Sequence, residues 1–484
     1  MNLRMMLSIL ANILGLAALF MLPPLGIALY GAETEAARAF ALTICLMLLP
    51  QLLRFLFPPK NSRFYLREGF ILAALSWLTV SFFGCLPLYF SGAVPGFLNC
   101  FFEISSSLTT TGASIVADVG ALPRSILFWR NLSQWLGGMG MLAFMLAIVP
   151  MGRDAGTAYS MHILQAETTG PQGDKIVPKS KSAALHIYGI YVLMTLTVFC
   201  LLLLGGMEPF GALSLAFGTA GTGGLAATQD SLLAQSSYTQ IVVTVFMLLF
   251  SVSFSIYYYL FIRHSFRRAA LNQELKLYLS LLAISCLFVF LNVYPLYENP
   301  LTALKHAAFQ VVSFASGTTF ASANTALWPS FSLTLLLFLR CVGGCAGSTS
   351  GGLKVIRVLI LFKHVKNSML KILRPNTVRL MHIDENIVDE KAIEQTLLFV
   401  VLYVMIAAIS MLLISLDGFS TEHSQRVVLS ALNNASPGAE NIGAAADYSG
   451  FSALSKLILC ADMFLGRLEI FPLVMLFWPA MWKR

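Results

Sequence analysis

Four short stretches hold the residues best suited to chemistry: TTTGAS (109–114), AGTGGLA (220–226), SGTTFAS (316–322) and NNASPGA (433–439). Each sets hydroxyl or amide side chains against small residues inside a strongly apolar chain. Freed carbonyl and hydroxyl oxygens at such a turn can replace the water shell of a cation, and four turns in a ring are the arrangement of a potassium filter. Glycine helps because it adopts positive φ readily and lets successive carbonyls turn toward one axis. A further run, GGCAGSTSGG (Gly343 to Gly352), interrupts the apolar stretch 331–363. Its glycines each disfavour a continuous helix by up to about 1 kcal/mol relative to alanine. Arg467, in FLGRLEIF, sits inside the last apolar stretch, and an intramembrane arginine marks a functional candidate.

The elements around these turns repeat. Apolar spans are expected near 6–30, 38–57, 67–91, 125–150, 184–206, 237–263, 277–295, 331–363, 392–416 and 453–480. Shorter segments lie between some of them: VPGFLNCFFEISSSL, EPFGALSLAFGTA, NPLTALKHAAFQVVSFA and TEHSQRVVLSALNNA. Each is about three turns long, too brief to span, and ends at one of the four polar turns. The unit span, half-helix, polar turn, span thus recurs four times after residue 60. A half-helix entering from outside points its negative C-terminal end inward, which favours a cation. The fold expected is an all-α polytopic membrane protein. It has an N-terminal helix pair (1–60) and four pseudo-symmetric membrane–pore-loop–membrane repeats (61–155, 156–270, 271–375 with the glycine run, 376–484) around a central ion pathway.

Composition supports this class and excludes others. The chain of 484 residues is 57% hydrophobic and 11% charged, with a mean hydropathy of +0.77, against about 25% charged residues in soluble domains. The net charge of +8 does not point to nucleic acid, because Lys and Arg gather in alternate loops. They lie at Arg54–Arg67, Arg153–Lys181, Arg263–Lys276, Lys354–Lys391 and Lys483–Arg484. This bias puts both termini in the cytoplasm. The first apolar span is too long for a signal-peptide core and reads as a retained helix. The opposite loops are richer in acids (Glu103, Asp118, Glu208, Asp230, Glu298, Glu422, Glu440). Two readings stand: a mouth that concentrates cations, or acids filling a side depleted of bases. The eight cysteines are scattered and form no disulfide framework. Cys341 and Cys345, at helical i,i+4 spacing without a histidine, fit small residues at a helix contact better than a metal site. No HExxH motif, carboxylate cluster or Ser–His pairing suggests an enzyme.

The combination of TTTGA, FWRNLSQWLGGMGMLAFMLAIVP, QAETTGPQGDKIVPK, GGCAGSTSGGLKVIR and MFLGRLEIFPLVMLF resembles the TrkH branch of the Trk/Ktr/HKT cation transporters over nearly the whole chain. The resemblance implies potassium uptake across the bacterial cytoplasmic membrane. It also implies a homodimer with one pore per subunit, and docking on a cytosolic nucleotide-binding TrkA-type ring. K⁺ is then the transported ion, bound at the filter residues, and no organic cofactor is expected in this chain. By the same resemblance, Thr111 and Gly112 fall on the filter of repeat one, and Thr222 and Gly223 on that of repeat two. In repeat three, Thr318 and Thr319 stand where Thr-Gly is expected. In repeat four, Ala435 and Ser436 stand before Pro437 and Gly438, with Ser436 in the filter glycine's place. Threonine is an outlier at positive φ, and serine there is uncommon. In plant HKT relatives a filter serine in repeat one accompanies sodium permeation. A potassium pathway of weaker selectivity is the expectation.

The same family places an intramembrane gate loop on Gly343, Gly344, Cys345, Ala346, Gly347, Ser348, Thr349, Ser350, Gly351 and Gly352; a simple kink is the other reading. It places Arg467 near that loop, below the filter, where a fixed positive charge would bar cations. A structural bridge to Asp462 or Glu469 competes, although an offset of two does not face one helix side. Arg130 reads as an interfacial anchor or an outer-vestibule charge, and Trp129 and Trp135 as interface or packing residues. The basic loop 354–391 offers a surface for the ring or for anionic lipid. No chain of intramembrane carboxylates suggests a proton relay, which favours gated downhill flux over symport.

Overall fold

The computed structural model describes residues 3–56, 66–116, 118–140, 181–225, 232–374, 380–384, 386–436 and 448–479. The described residues are helical almost throughout. The N-terminal pair consists of α1 (Leu3–Phe20) continuing into α2 (Leu22–Tyr30), followed by α3 (Thr34–Leu56). Pro23 and Pro24 open α2, where missing N–H groups have no helical partner to lose.

The first unit comprises α4 (Leu66–Gly84) extended by α5 (Leu86–Phe90), the half-helix α6 (Phe97–Leu108) and α7 (Arg124–Gly138). The second has α8 (Lys181–Leu204), half-helix α9 (Pro209–Gly221) and α10 (Ser237–Phe250), then α11 (Phe254–Tyr257) and α12 (Phe266–Leu271). In the third, α13 (Gln273–Val293) leads to half-helix α14 (Pro300–Ser316), α15 (Ser330–Val342) and α16 (Val355–Leu373). The fourth has α17 (Glu390–Ile414), half-helix α18 (Thr421–Leu432), α19 (Ala453–Arg467) and α20 (Phe471–Leu476). One two-residue hairpin, His382–Ile383 with Asn386–Ile387, lies between α16 and α17.

Local chemistry starts these helices. Asn299 accepts from Leu301 N before Pro300, and Ser420 accepts from His423 N, capping α14 and α18. Ser236, Asn272 and Ser452 cap α10, α13 and α19 in the same way. All four half-helices exist as expected, and all four end at the expected turns.

Two spans differ from their sequence reading, and a third breaks where it was expected to. The stretch 237–263 bends by 89° between α10 and the following helix, at Ser251–Val252–Ser253. The stretch 453–480 breaks between α19 and α20. The stretch 331–363 parts into α15 and α16 around the glycine run, as its composition predicts. Among the described residues six helices are long and apolar enough to cross a membrane, or seven counting the bent pair, against about ten spans expected. The second helices of units two, three and four are short or broken at a bend, and span 125–150 is described only as far as residue 140. The end of span 125–150, the segment QAETTGPQGDKIVPK, Asp230, Pro437, Gly438, Glu440 and the last basic pair lie outside the described residues.

Packing follows a cycle. Half-helix α6 packs on α4, α7 and α19; α9 packs on α8, α10 and α7; α14 packs on α13, α15 and α10; α18 packs on α17 and α19. The remaining link is Arg340 of α15, whose Nη2 donates to the Arg426 carbonyl of α18 at 3.3 Å. Each half-helix therefore meets the second helix of the preceding unit.

Candidate ion pathway

The four turns share one backbone pattern. Thr110, Thr222, Gly317 and Asn434 each have positive φ (60°, 53°, 80° and 46°). Each donates its N–H to the carbonyl three residues back, at 3.0, 3.3, 3.1 and 3.2 Å. The next residues, Thr111, Gly223 and Ala435, reach back five, to Ser106, Gly218 and Ser430. Thr318 N donates to Ser316 Oγ instead. One residue further, φ is again positive at Gly112 (71°), Gly224 (73°) and Thr319 (48°), but not at Ser436.

This register corrects one correspondence. Pattern matching aligns Thr222 and Gly223 with Thr111 and Gly112. The backbone aligns Gly223 with Thr111 and Gly224 with Gly112, because AGTGGLA offers two adjacent glycines and only the dihedral angles choose between them. By the same count Thr318 and Thr319 stand at the places of Thr111 and Gly112, and Ala435 and Ser436 do so without the second positive φ.

The turns touch in a closed ring. A Cβ on Gly112 would fall 1.8 Å from Gly223 O, and one on Gly224 would fall 2.0 Å from Thr318 O, so neither position tolerates a side chain. Ser436 N donates to Gly317 O at 3.3 Å. Asn434 Nδ2 closes the ring on Thr111 Oγ1 at 3.2 Å. Ser436 Cβ lies 3.1 and 3.3 Å from where side chains on Gly112 and Gly224 would begin. The serine thus projects toward two other turns, where a glycine would leave space.

Turn one is braced from behind by a buried ion pair. Glu103 and Arg130 are 0% and 1% exposed and 2.5 Å apart. The Glu103 carboxylate also accepts from Ser114 Oγ at 3.0 Å and Ile115 N at 2.9 Å. Arg130 is therefore neither an interfacial anchor nor a vestibule charge, and Glu103 is not part of an acidic mouth. Both are buried because α7 presses on α6: a Cβ on Gly137 would lie 1.8 Å from Leu108 O. Trp129 and Trp135 are packing residues, donating to Gly84 O (2.9 Å) and Thr195 Oγ1 (3.1 Å).

The run Gly343–Gly352 lies under the turns and is held by the second and fourth units as well as by its own. Cys345 N donates to Ser251 O at 3.0 Å, and Phe254 N to Gly347 O at 3.0 Å; these bonds occupy the bend between α10 and α11. Thr349 Oγ1 donates to Phe250 O at 3.1 Å. Ala346 N donates to Glu274 Oε1 at 2.6 Å. Gly352 N donates to Asn433 O at 3.0 Å, and a Cβ on Gly351 would lie 1.9 Å from that same oxygen. Within the loop, Gly344 N donates to Ser350 Oγ and Ser348 Oγ to Cys345 O. Gly343 begins the loop at φ 75° and ends α15. Cys341 and Cys345 are packing residues: Asn433 Nδ2 lies 3.8 Å from the Cys341 sulfur, and among the described residues no His, Cys, Asp and Glu group could hold a metal.

Arg467 joins three of these parts. Its Nη1 donates to Thr110 Oγ1 at 3.2 Å and to Thr349 O at 3.3 Å. Its Nη2 donates to Gly138 O at 2.6 Å and to Gly137 O. The last two are C-terminal carbonyls of α7, which attract a cationic side chain. Neither suggested acid is its partner in these contacts: Asp462 accepts from Ser410 at 2.9 Å, and Glu469 pairs with Arg357 at 2.5 Å.

Sequence reasoning missed three cations. Arg340 is buried and donates to the Ser436 carbonyl at 3.3 Å. Lys354 and Arg357, counted with a cytoplasmic basic loop, turn back into the protein: Lys354 Nζ donates to Ser350 O at 2.6 Å, and Arg357 is 2% exposed. The signal was their position immediately after the glycine run.

A family profile described as "TrkH: Cation transport protein" matches residues 35–484. The Trk system potassium uptake protein TrkH of Salmonella typhimurium is 34% identical, with 86% of each chain covered. The protein of that name from Halomonas elongata is 33% identical over 100% of each. The crystal structure of the potassium transporter TrkH from Vibrio parahaemolyticus matches with a TM-score of 0.87 and 28% identity over 100% of both chains. The chain therefore belongs to the TrkH family of cation transport proteins, membrane transporters rather than enzymes.

Proposed function

We propose that this protein carries potassium into the cell through a pathway lined by the four turns, organised as the repeats 61–155, 156–270, 271–375 and 376–484. The observation that carries the reading is the closed ring of turns with its shared backbone pattern. Carbonyls freed at the C-terminal ends of four half-helices suit a dehydrated cation, and the relatives named above are potassium uptake proteins. The ion-binding residues are Thr111, Gly112, Gly223, Gly224, Thr318, Thr319, Ala435 and Ser436, with Thr222 opening turn two. Loop 343–352 is the gate, and Arg467 is a fixed positive barrier beneath the filter. Growth of potassium-auxotrophic cells on low-K⁺ medium tests the transport reading: expression restores growth, and failure of a correctly inserted protein overturns it.

The barrier has its own test. Arg467→Ala raises K⁺ efflux from proteoliposomes by about tenfold or more, the scale of a 1–3 kcal/mol change in gating equilibrium; unchanged efflux overturns the barrier role. The subunit sits in the inner membrane with both termini in the cytoplasm, forms a homodimer and docks on a nucleotide-binding ring of the TrkA type. The exposed face of α16, with Phe362, Lys366, Met369, Lys371 and Ile372, is the proposed contact for that ring. Anionic lipid is the competing occupant, distinguished by ring binding in neutral detergent.

A further inference from the structure

The helix that carries Arg467 ends in an unusual turn. Glu469 and Ile470 both have positive φ, 54° and 69°. Ile470 combines that φ with ψ −53°, and Phe471 N donates to Glu469 O at 2.8 Å. These values define the γ-turn of positive φ, which is rare and strained. A β-branched residue in that region is a conformational outlier. Such backbone persists only where the surroundings over-determine it.

Two contacts hold it here. Ile470 is 1% exposed and packs in an apolar cluster with Phe399 and Leu459. Glu469 Oε2 lies 2.5 Å from Arg357 Nη2. Arg357 in turn stands 3.9 Å over the Phe399 ring and donates through Nη1 to Leu353 O at 3.1 Å. Leu353 is the first residue after the glycine run, and Leu353 N is held by Cys341 O at 2.9 Å. One ion pair, with Arg357 buried and Glu469 17% exposed, thus ties the exit of loop 343–352 to the strained turn that begins one residue past Leu468, next to Arg467.

We propose that the Arg357–Glu469 pair is a latch. It keeps the strained turn in place, and through that turn keeps Arg467 donating to Thr110, Thr349 and the end of α7. The two are positioning residues that touch no ion. Opening the pair lets the turn relax toward regular helix, so the gate loop and the arginine leave the pathway together. The proposal rests on the reading of Arg467 as a barrier.

The test is K⁺ efflux from proteoliposomes carrying Arg357→Gln, Glu469→Gln, the double variant, Arg467→Ala and Arg467→Ala combined with Glu469→Gln. Monodispersity and melting temperature check folding. Each single latch variant is expected to raise efflux about tenfold, within the usual range of coupling between linked elements. The double variant is expected to match the singles, because the pair acts as one unit. Adding Glu469→Gln to Arg467→Ala changes nothing further, because the latch acts through the arginine. Arg357→Lys keeps the buried charge but loses the planar stack, so it folds where glutamine fails and gives an intermediate rise. Raised efflux in Arg467→Ala with wild-type efflux in folded latch variants overturns the latch alone. Additive effects of Arg467→Ala and Glu469→Gln do the same. Unchanged efflux in Arg467→Ala overturns the barrier reading and the latch with it.

Discussion

Behind turn one, two helical turns before Thr110, the Glu103 carboxylate closes on Ser114, Ile115 and Arg130. At the matching place behind turn three lies Gln310, fully buried, with both amide atoms lacking a hydrogen-bond partner among the described residues. Turn three instead relies on hydroxyls close to it: Ser316 Oγ meets Thr318 Oγ1 at 2.8 Å, and Ser313 Oγ donates to Phe320 O at 2.8 Å. The two turns also differ where φ is positive for the second time, at Gly112 in one and Thr319 in the other. Turn one therefore places a β-branched residue, Thr110, at its first positive φ and a glycine at its second, and is fixed by an ionic brace. Turn three reverses the order, with Gly317 first and Thr319 second, and is held by hydroxyls rather than an ion pair, so each turn sets one threonine against its backbone preference. One backbone form can thus be specified by two unlike sets of side chains.

The largest expected effect tests whether turn one needs its glycine. Gly112→Ala puts a methyl group 1.8 Å from Gly223 O, so K⁺ uptake is expected to be lost; retained uptake would mean the ring adjusts more freely than its contacts imply. Next comes the brace. Glu103→Gln leaves Arg130 buried with its charge uncompensated and is expected to cost about 3–5 kcal/mol, read as a fall in melting temperature. A loss of less than about 1 kcal/mol would mean that the pair does not set the stability of turn one.

Thr319→Gly and Ser436→Gly have a smaller effect on stability and a clearer one on selectivity. Releasing threonine from positive φ recovers about 1–3 kcal/mol of strain, partly offset by the greater chain entropy of glycine. The double replacement is expected to raise the K⁺/Na⁺ flux ratio in liposomes; an unchanged ratio would show that these two turns do not limit selectivity. The smallest effect belongs to Gln310→Leu. Removing a buried amide without partners is expected to be neutral or stabilising by about 1 kcal/mol, measured as melting temperature. Clear destabilisation would reveal that turn three has a polar brace after all.

Much of this was legible in the chain. The half-helices announced themselves by length and by the hydroxylated turns they precede. The glycine run 343–352 was legible as a break because glycine in series opposes a helix whatever surrounds it. The breaks at Ser251–Ser253 and Leu468–Ile470 were not, because those residues carry no breaker signal. They are imposed by the loop that bonds to Ser251 O and by the pair that holds Glu469. The register of AGTGGLA was equally hidden, since either glycine satisfies the local pattern.

The sequence by itself determined the class, the fourfold alternation of spans and turns, and the residue types that suit a cation, because these follow from apolar length, charge bias and local backbone preference. Only the tertiary structure decided that Glu103 meets Arg130, that Arg357 meets Glu469 and that Arg467 takes the carbonyls of Gly137, Gly138 and Thr349. A buried charge is satisfied by whatever polar group the packing brings within reach, and residues 112 positions apart, as Arg357 and Glu469 are, have no local pattern that foretells their meeting.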